Sequence, residues 1–374
     1  MSGLYIHIPF CKRRCYYCDF YSTTLAPLQT EYAVAVCHEM EVRRGELSEQ
    51  VDTLYIGGGT PSQLSPALLG QIVHSAADIF GFNTLEEFTI EANPDDITPK
   101  WVSMAREIAP EGKVRVSMGI QTFNDASLKR LGRRHNAAQA RTAVKLLREG
   151  GINEISIDLM YGLPDEDETQ WADDLEQALS LGVPHLSAYC LTYEEGTVLW
   201  KEREMGKVKD ADEELCRHFY RMLCQRLKAA GYQHYELSNF ALPGHCALHN
   251  SSYWNGTPYM GIGPGAHSYD GESRSWNAPN LKAYISHPLE GRTIEHLTDN
   301  EKYDEYIMTR LRTSIGIHPD ELEKMFGVSR RDYCLALAQP YINSHQLHTT
   351  TDGHIVLDED ALFISDSIIS DLFS

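Results

Sequence analysis

The chain has 374 residues, 42% hydrophobic and 23% charged, values that exclude a disordered, collagenous or coiled-coil protein. Its 53 acids against 33 bases leave a formal charge of −20, a field that repels phosphates and argues against nucleic acid as a partner. It has no apolar run of membrane-spanning length, no signal segment ahead of its first strand, and too few cysteines, at nine, for a secreted disulfide framework. A cytoplasmic protein is expected.

In chain order, residues 4–8 read as a strand and 32–42 as a helical window. Residues 53–56 form a second strand, ended by Gly57, Gly58 and Gly59, and 88–91 a third, stopped by Asn93 and Pro94. A helix is predicted over 99–108, with Pro99 in its first turn. Strands over 114–118 and 154–158 flank a helix over 137–148; a helix over 171–179 and a sixth strand over 185–191 follow. Six such units predict a parallel sheet covered by helices and curled into an open, incomplete (β/α)6 barrel. Chemistry then belongs at the C-terminal ends of the strands. Cys11, the stretch 57–60, Glu91, Gln121 and Asp158 all fall at that rim.

After residue 200 the alternation stops. A long helix is expected over 213–230, then a stretch over 244–269 rich in Gly, His, Asn and aromatics. Helices over 304–313, 318–325 and 330–337, a hairpin across Asp352 and Gly353, and a last helix from Asp360 outline a winged-helix-like module. The expected division is a partial barrel over 1–230, a connecting region over 231–295 and a mainly helical C-terminal domain over 296–374.

Cys11, Cys15 and Cys18 form a C-x₃-C-x₂-C cluster just after the first strand. Three thiolates on one loop can hold three corners of an iron–sulfur cubane and leave the fourth iron open; closed electron-transfer clusters use four cysteines. A zinc site with a distant fourth ligand, or three incidental thiols, are the other readings of the same spacing. Cys37, within a predicted helix, is a poor fourth ligand, and the remaining cysteines read as small buried hydrophobes.

The stretch from Tyr5 through His7 and Phe10 to the cysteine cluster, with Gly57-Gly58-Gly59-Thr60-Pro61 after the next strand, resembles the radical S-adenosylmethionine (SAM) superfamily. Within it the resemblance is to the coproporphyrinogen III dehydrogenase-like branch. Glu91-Ala-Asn93-Pro94, Ser117-Met-Gly119-Ile-Gln121, Asp158-Leu-Met-Tyr161-Gly162, Tyr235-Glu-Leu-Ser238-Asn239 and Gly261-Ile-Gly263-Pro-Gly265 extend it along the chain.

That resemblance implies a [4Fe-4S] cluster on Cys11, Cys15 and Cys18, with SAM chelated to the open iron and cleaved by an electron from the cluster to methionine and a 5′-deoxyadenosyl radical. It places Tyr5, Gly58, Gly59, Thr60, Glu91, Gln121, Arg133 and Asp158 at SAM, and Tyr17 where the dehydrogenase touches a second SAM. Glycines without Cβ let backbone approach a ligand. Arg133 suits a carboxylate, while Glu91 and Asp158 suit ribose hydroxyls.

Two departures from the dehydrogenase pattern point to the heme-chaperone side of the branch. Phe20 stands where the dehydrogenase has a fourth cysteine, and only Met1, Ser2 and Gly3 precede the first strand. His249-Asn250-Ser251-Ser252-Tyr253-Trp254 matches the H-N-x-x-Y-W motif implicated there in heme binding, making His249 the expected heme ligand, with His245 and His267 nearby. The resemblance thus implies a carrier of heme to apo-heme proteins of the respiratory chain. Its implied partners include an electron donor such as a flavodoxin, with peripheral membrane contact through the partners. The alternative is an oxygen-independent coproporphyrinogen III oxidase.

Overall fold

The computed structural model describes residues 2–47, 50–110 and 113–374. Six strands lie side by side in chain order, every pair parallel: β1 (Ser2–Ile8), β2 (Val51–Gly58), β3 (Glu87–Ala92), β4 (Val114–Gln121), β5 (Glu154–Tyr161) and β6 (His185–Cys190). Together with the helices between them they form the incomplete parallel barrel expected from the alternation.

Local signals set the helices. Ser65 caps Pro66–Phe80, whose Leu69, Ile72, Val73 and Ala76 recur at helical spacing and are buried. Asn136 and Gln139 close a reciprocal capping box on Ala137–Glu149. The strands are apolar on one face only. Leu54 and Ile56, Phe88 and Ile90, and Ile155 and Ile157 enter the core under the helices. The alternate residues Tyr55, Thr89, Glu91, Ser117, Ser156 and Asp158 face inward and line a polar cavity.

Residues of the stretch 231–295, read from the sequence as a connecting region, extend the same sheet at both edges. β7 (Gln233–Glu236) and β8 (Asn239–Ala241) form an antiparallel pair beside β6. β9 (Tyr259–Ile262) pairs parallel with β1, and β10 (His267–Tyr269), β11 (Ser273–Trp276) and β12 (Thr293–His296) continue antiparallel, giving twelve strands among the described residues. Between β8 and β9 the helix Leu248–Trp254 passes beneath the barrel. Its first backbone N–H groups, of Leu248 and His249, donate to the Glu87 carboxylate at the N-terminal end of β3.

The C-terminal part has a core of its own, including Tyr303, Ile307, Leu322, Cys334, Leu347, Ile355 and Ile369. Helices Asp299–Leu311, Pro319–Phe326 and Val328–Asn343 precede the hairpin of β13 (Leu347–Thr349) and β14 (Ile355–Leu357), which turns through Gly353 at φ +85°. The helix Ser365–Asp371 closes it. Among the described residues no helix is long and apolar enough to cross a membrane.

Candidate functional site

The cavity at the C-terminal rim has a volume of about 530 Å³, within the range of sites for cofactor-sized ligands. Its wall contains eleven of the residues expected from the sequence: Cys11, Cys15, Tyr17, Cys18, Gly58, Gly59, Thr60, Glu91, Gln121, Arg133 and Asp158. Tyr5 and His249 are not among them.

The cysteine loop leaves β1 and is tied down at both ends. Cys11 N–H donates to the Thr23 carbonyl, Thr23 N–H to that of Pro9, and Tyr16 N–H to that of Leu131. Cys11 Sγ lies 3.3 Å from Thr60 Oγ1, and Arg133 Nη1 donates to Cys15 Sγ across 3.3 Å. Burial pushes the Cys11 thiol up and that of Cys18 to about 11. Among the described residues no three His, Cys, Asp or Glu side chains converge on a position for a single ion. The three thiols instead stand around one cavity mouth, an arrangement that suits the separate corners of a cubane. Their thiolate chemistry and common cavity fit a [4Fe-4S] cluster, which these three cysteines would hold.

That loop is built by close approach. A Cβ on Gly58, at φ +110°, would fall 2.6 Å from the His7 ring, and one on Gly57 would fall 2.6 Å from Tyr55 Cε1 and 2.8 Å from Glu91 Oε1. The missing side chains therefore make room for protein neighbours as well as exposing Gly58 and Gly59 to the cavity.

Two carboxylates of the wall, Glu91 and Asp158, are held by hydrogen bonds. Glu91 Oε1 accepts from Tyr55 OH at 2.8 Å and Oε2 from the Gly58 N–H at 2.9 Å. Burial still pushes its carboxyl up to about 7. Burial likewise raises Asp158, against hydrogen bonds from Ser187 and Ser117. Their remaining lone pairs can accept hydrogen bonds from the hydroxyls of a ligand. Gln121 ends β4 at φ +72°, beside a break in the β4–β5 register that turns its side chain into the cavity. Arg133 reaches Asn93 Oδ1 at 2.6 Å and the Gly119 carbonyl at 2.5 Å and brings a cation to the cavity wall. Tyr17, half-buried, lies beside it.

Tyr5 stands behind the wall: its hydroxyl is 3.0 Å from His7 Nδ1 and its ring packs against Tyr55. His249 departs further from expectation. It is 0% exposed, with Nδ1 2.8 Å from Thr53 Oγ1 and Nε2 2.8 Å from Tyr253 OH. The helix that carries it is tucked under the barrel, so both ring nitrogens are engaged and neither is open to a heme iron in this conformation. His245 is partly exposed and bound to Glu154, 3.0 Å away; His267 stacks on Trp276.

The sequence reading gave no site role to Tyr55, Asn93, Ser117 and Ser187, which hold Glu91, Arg133 and Asp158. Period-2 alternation along β2 and β4 would have placed Tyr55 and Ser117 on the cavity face. It also passed over the mouth, where Phe20, 65% exposed, stands beside Arg13 and Arg14. Arg14 Nη2 donates to the carbonyls of Cys18 and Phe20.

Residues 5–178 match the family model of the radical SAM superfamily. A protein of Lactococcus lactis named heme chaperone HemW is 36% identical over 88% of this chain and 86% of its own. Its namesake in Mycobacterium tuberculosis is 33% identical over 95% of this chain and 93% of its own. In fold, the solved coproporphyrinogen III oxidase HemN of Escherichia coli, 23% identical, superposes with a TM-score of 0.84 over 100% of this chain and 90% of that one.

Proposed function

The chain belongs to the radical SAM superfamily, in the HemW family, and on that premise we propose that it is a heme chaperone. It would hold a [4Fe-4S] cluster and SAM in the rim cavity and carry heme to apo-proteins such as those of the respiratory chain. The observation that carries this reading is kinship along nearly the whole chain with proteins named heme chaperone.

The geometry supports the binding parts of this reading. Cys11, Cys15 and Cys18 hold the cluster, which when bound supplies an open iron and an electron for SAM. Arg133 orients the SAM carboxylate, and Glu91 and Asp158 receive the ribose hydroxyls. Gln121 and the backbone of Gly58 and Gly59 shape the wall. Heme is cargo. Its apolar ring and two carboxylates suit the mouth, where exposed Phe20 offers an apolar face and Arg13 and Arg14 offer cations.

The test is to incubate anaerobically reconstituted protein with heme, and separately with coproporphyrinogen III, SAM and a reductant. A stable heme Soret band without multiple-turnover formation of protoporphyrinogen is expected. Sustained conversion of coproporphyrinogen III would overturn the chaperone reading in favour of the oxidase.

A further inference from the structure

We propose that His249 is a positioning residue for SAM: its imidazole, held by Thr53 and Tyr253, backs the Tyr55 ring, and Tyr55 in turn fixes the Glu91 carboxylate that receives the cofactor. This rests on the reading of Glu91 as a SAM contact. The motif expected to ligate iron therefore serves the SAM cavity from below.

The contacts form a continuous stack from the floor to the wall. The His249 ring lies against Tyr55 with centroids 5.1 Å apart and planes at 30°, and Tyr253 meets its other side edge-on at 5.2 Å. Burial lowers the His249 ring to about 3, so it is neutral, with one N–H and one lone pair. Its two partners are hydroxyls, Thr53 Oγ1 and Tyr253 OH, each able to donate or accept, so either tautomer is satisfied. Above it, the Tyr55 hydroxyl donates to Glu91 Oε1, while the Gly58 N–H holds Oε2.

The stack has little slack. A Cβ on Gly3 would lie 3.1 Å from His249 Cε1, and one on Gly57 2.6 Å from Tyr55 Cε1. A displaced imidazole is therefore passed on to Tyr55 and Glu91. Iron can take Nε2 only if the Tyr253 bond breaks and the ring leaves Tyr55. Ligation of iron by His249 and firm seating of SAM at Glu91 are thus competing uses of one ring, and such competition is reciprocal in binding free energy.

The experiment measures SAM affinity of the cluster-loaded full chain between about pH 6 and 8.5 by equilibrium dialysis, for wild type, Tyr55→Phe, His249→Ala and His249→Gln. Groups facing Glu91 are Tyr5 from β1, Tyr55 from β2, Asp158 from β5 and Tyr253 from the helix beneath. Tyr5, Asp158 and Tyr253 are common to every variant. Losing the Tyr55 hydroxyl, or the ring that backs it, is expected to weaken SAM about tenfold, as a lost hydrogen bond to a charged group does. It should also move the pH midpoint of binding upward, because the Tyr55 bond favours the carboxylate. His249→Gln, which keeps hydrogen-bonding groups toward Thr53 and Tyr253, should recover part of the affinity, and iron per chain should not change.

A merely structural role would lower melting temperature without moving the pH midpoint, and an unmoved midpoint in His249→Ala overturns the proposal. Should that variant not fold, a Tyr55→Phe protein with wild-type affinity and midpoint overturns it equally. Cluster-loaded wild type that binds no SAM at any pH would instead bring down the SAM reading itself, and this inference with it.

Discussion

Arg133 and Cys15, 118 residues apart, meet in the cavity, where the guanidinium Nη1 donates to the thiol sulfur across 3.3 Å. The same side chain holds Asn93 and the Gly119 carbonyl, so one cation joins the cysteine loop to the ends of β3 and β4. A lysine would keep the charge but cannot span three acceptors with one ammonium. Arg133→Lys is expected to weaken SAM binding about tenfold while iron content stays near wild type, as measured by equilibrium dialysis and iron assay. Loss of iron in step with SAM would show that Arg133 mainly holds the cysteine loop.

The cluster itself gives the sharpest composition test. Reconstituted protein should contain about four irons and four sulfides per chain, and Cys11→Ala, Cys15→Ala and Cys18→Ala should each abolish them. Cys37→Ala should not, because Cys37 lies on the helix Gln29–Arg43, where its sulfur meets Gln71 and not the cavity. A full complement of iron in the Cys15 variant would refute the assignment.

How far the sequence could be read follows from where each residue gets its position. Cys11, Gly58, Glu91, Gln121 and Asp158 follow strands or lie in their C-terminal halves, so strand periodicity and the rule that ligands bind at strand C-termini reach them without coordinates. Arg133 follows no strand, and only the family resemblance located it. His249 shows the opposite limit. Its motif was visible, but whether its ring faces a ligand or the core depends on the helix passing under β2 and β3, a long-range arrangement no local pattern encodes. The edge strands β7 to β12 were missed for a related reason: each has only three or four residues, too few to show a period.

Stability should depend on pH in a way set by two groups of buried side chains. Burial raises Glu166 to about 8 and Glu91 and Glu236 to about 7, above their ordinary 4.5. A raised carboxyl contributes stability that is complete below 4.5 and is lost as pH climbs through the folded value. Burial lowers His7 to about 4 and His135 and His249 to about 3, from 6.5. Those rings contribute stability above 6.5 that is lost as pH falls toward the folded values. The ring contribution levels off above 6.5 while the carboxyl contribution, Glu166 above all, is still being lost, so the melting temperature of chain free of cluster and SAM should decline from about pH 7 to 8.5. Glu166→Gln should flatten that decline in a calorimetric series; an unchanged slope would remove Glu166 from the account.

The last prediction concerns the mouth. Phe20 is 65% exposed although it lines the cavity, and Arg13 and Arg14 flank the same opening. Covering an aromatic ring of this exposure with a porphyrin face should stabilise the complex by about 1 kcal/mol, the share of full Phe burial that remains available. Phe20→Ser should therefore weaken heme retention roughly fivefold at constant cluster content, since the Phe20 side chain touches none of the sulfurs through a hydrogen bond or charge. Arg13→Gln should weaken heme further but leave heme dimethyl ester unaffected, because only the free propionates can pair with the guanidinium. The readout is Soret absorbance after gel filtration, compared for heme and its ester. Equal retention by wild type and Phe20→Ser would move heme away from this mouth. A Soret shift confined to His249→Ala would show that the helix beneath the barrel withdraws to offer its imidazole when heme arrives.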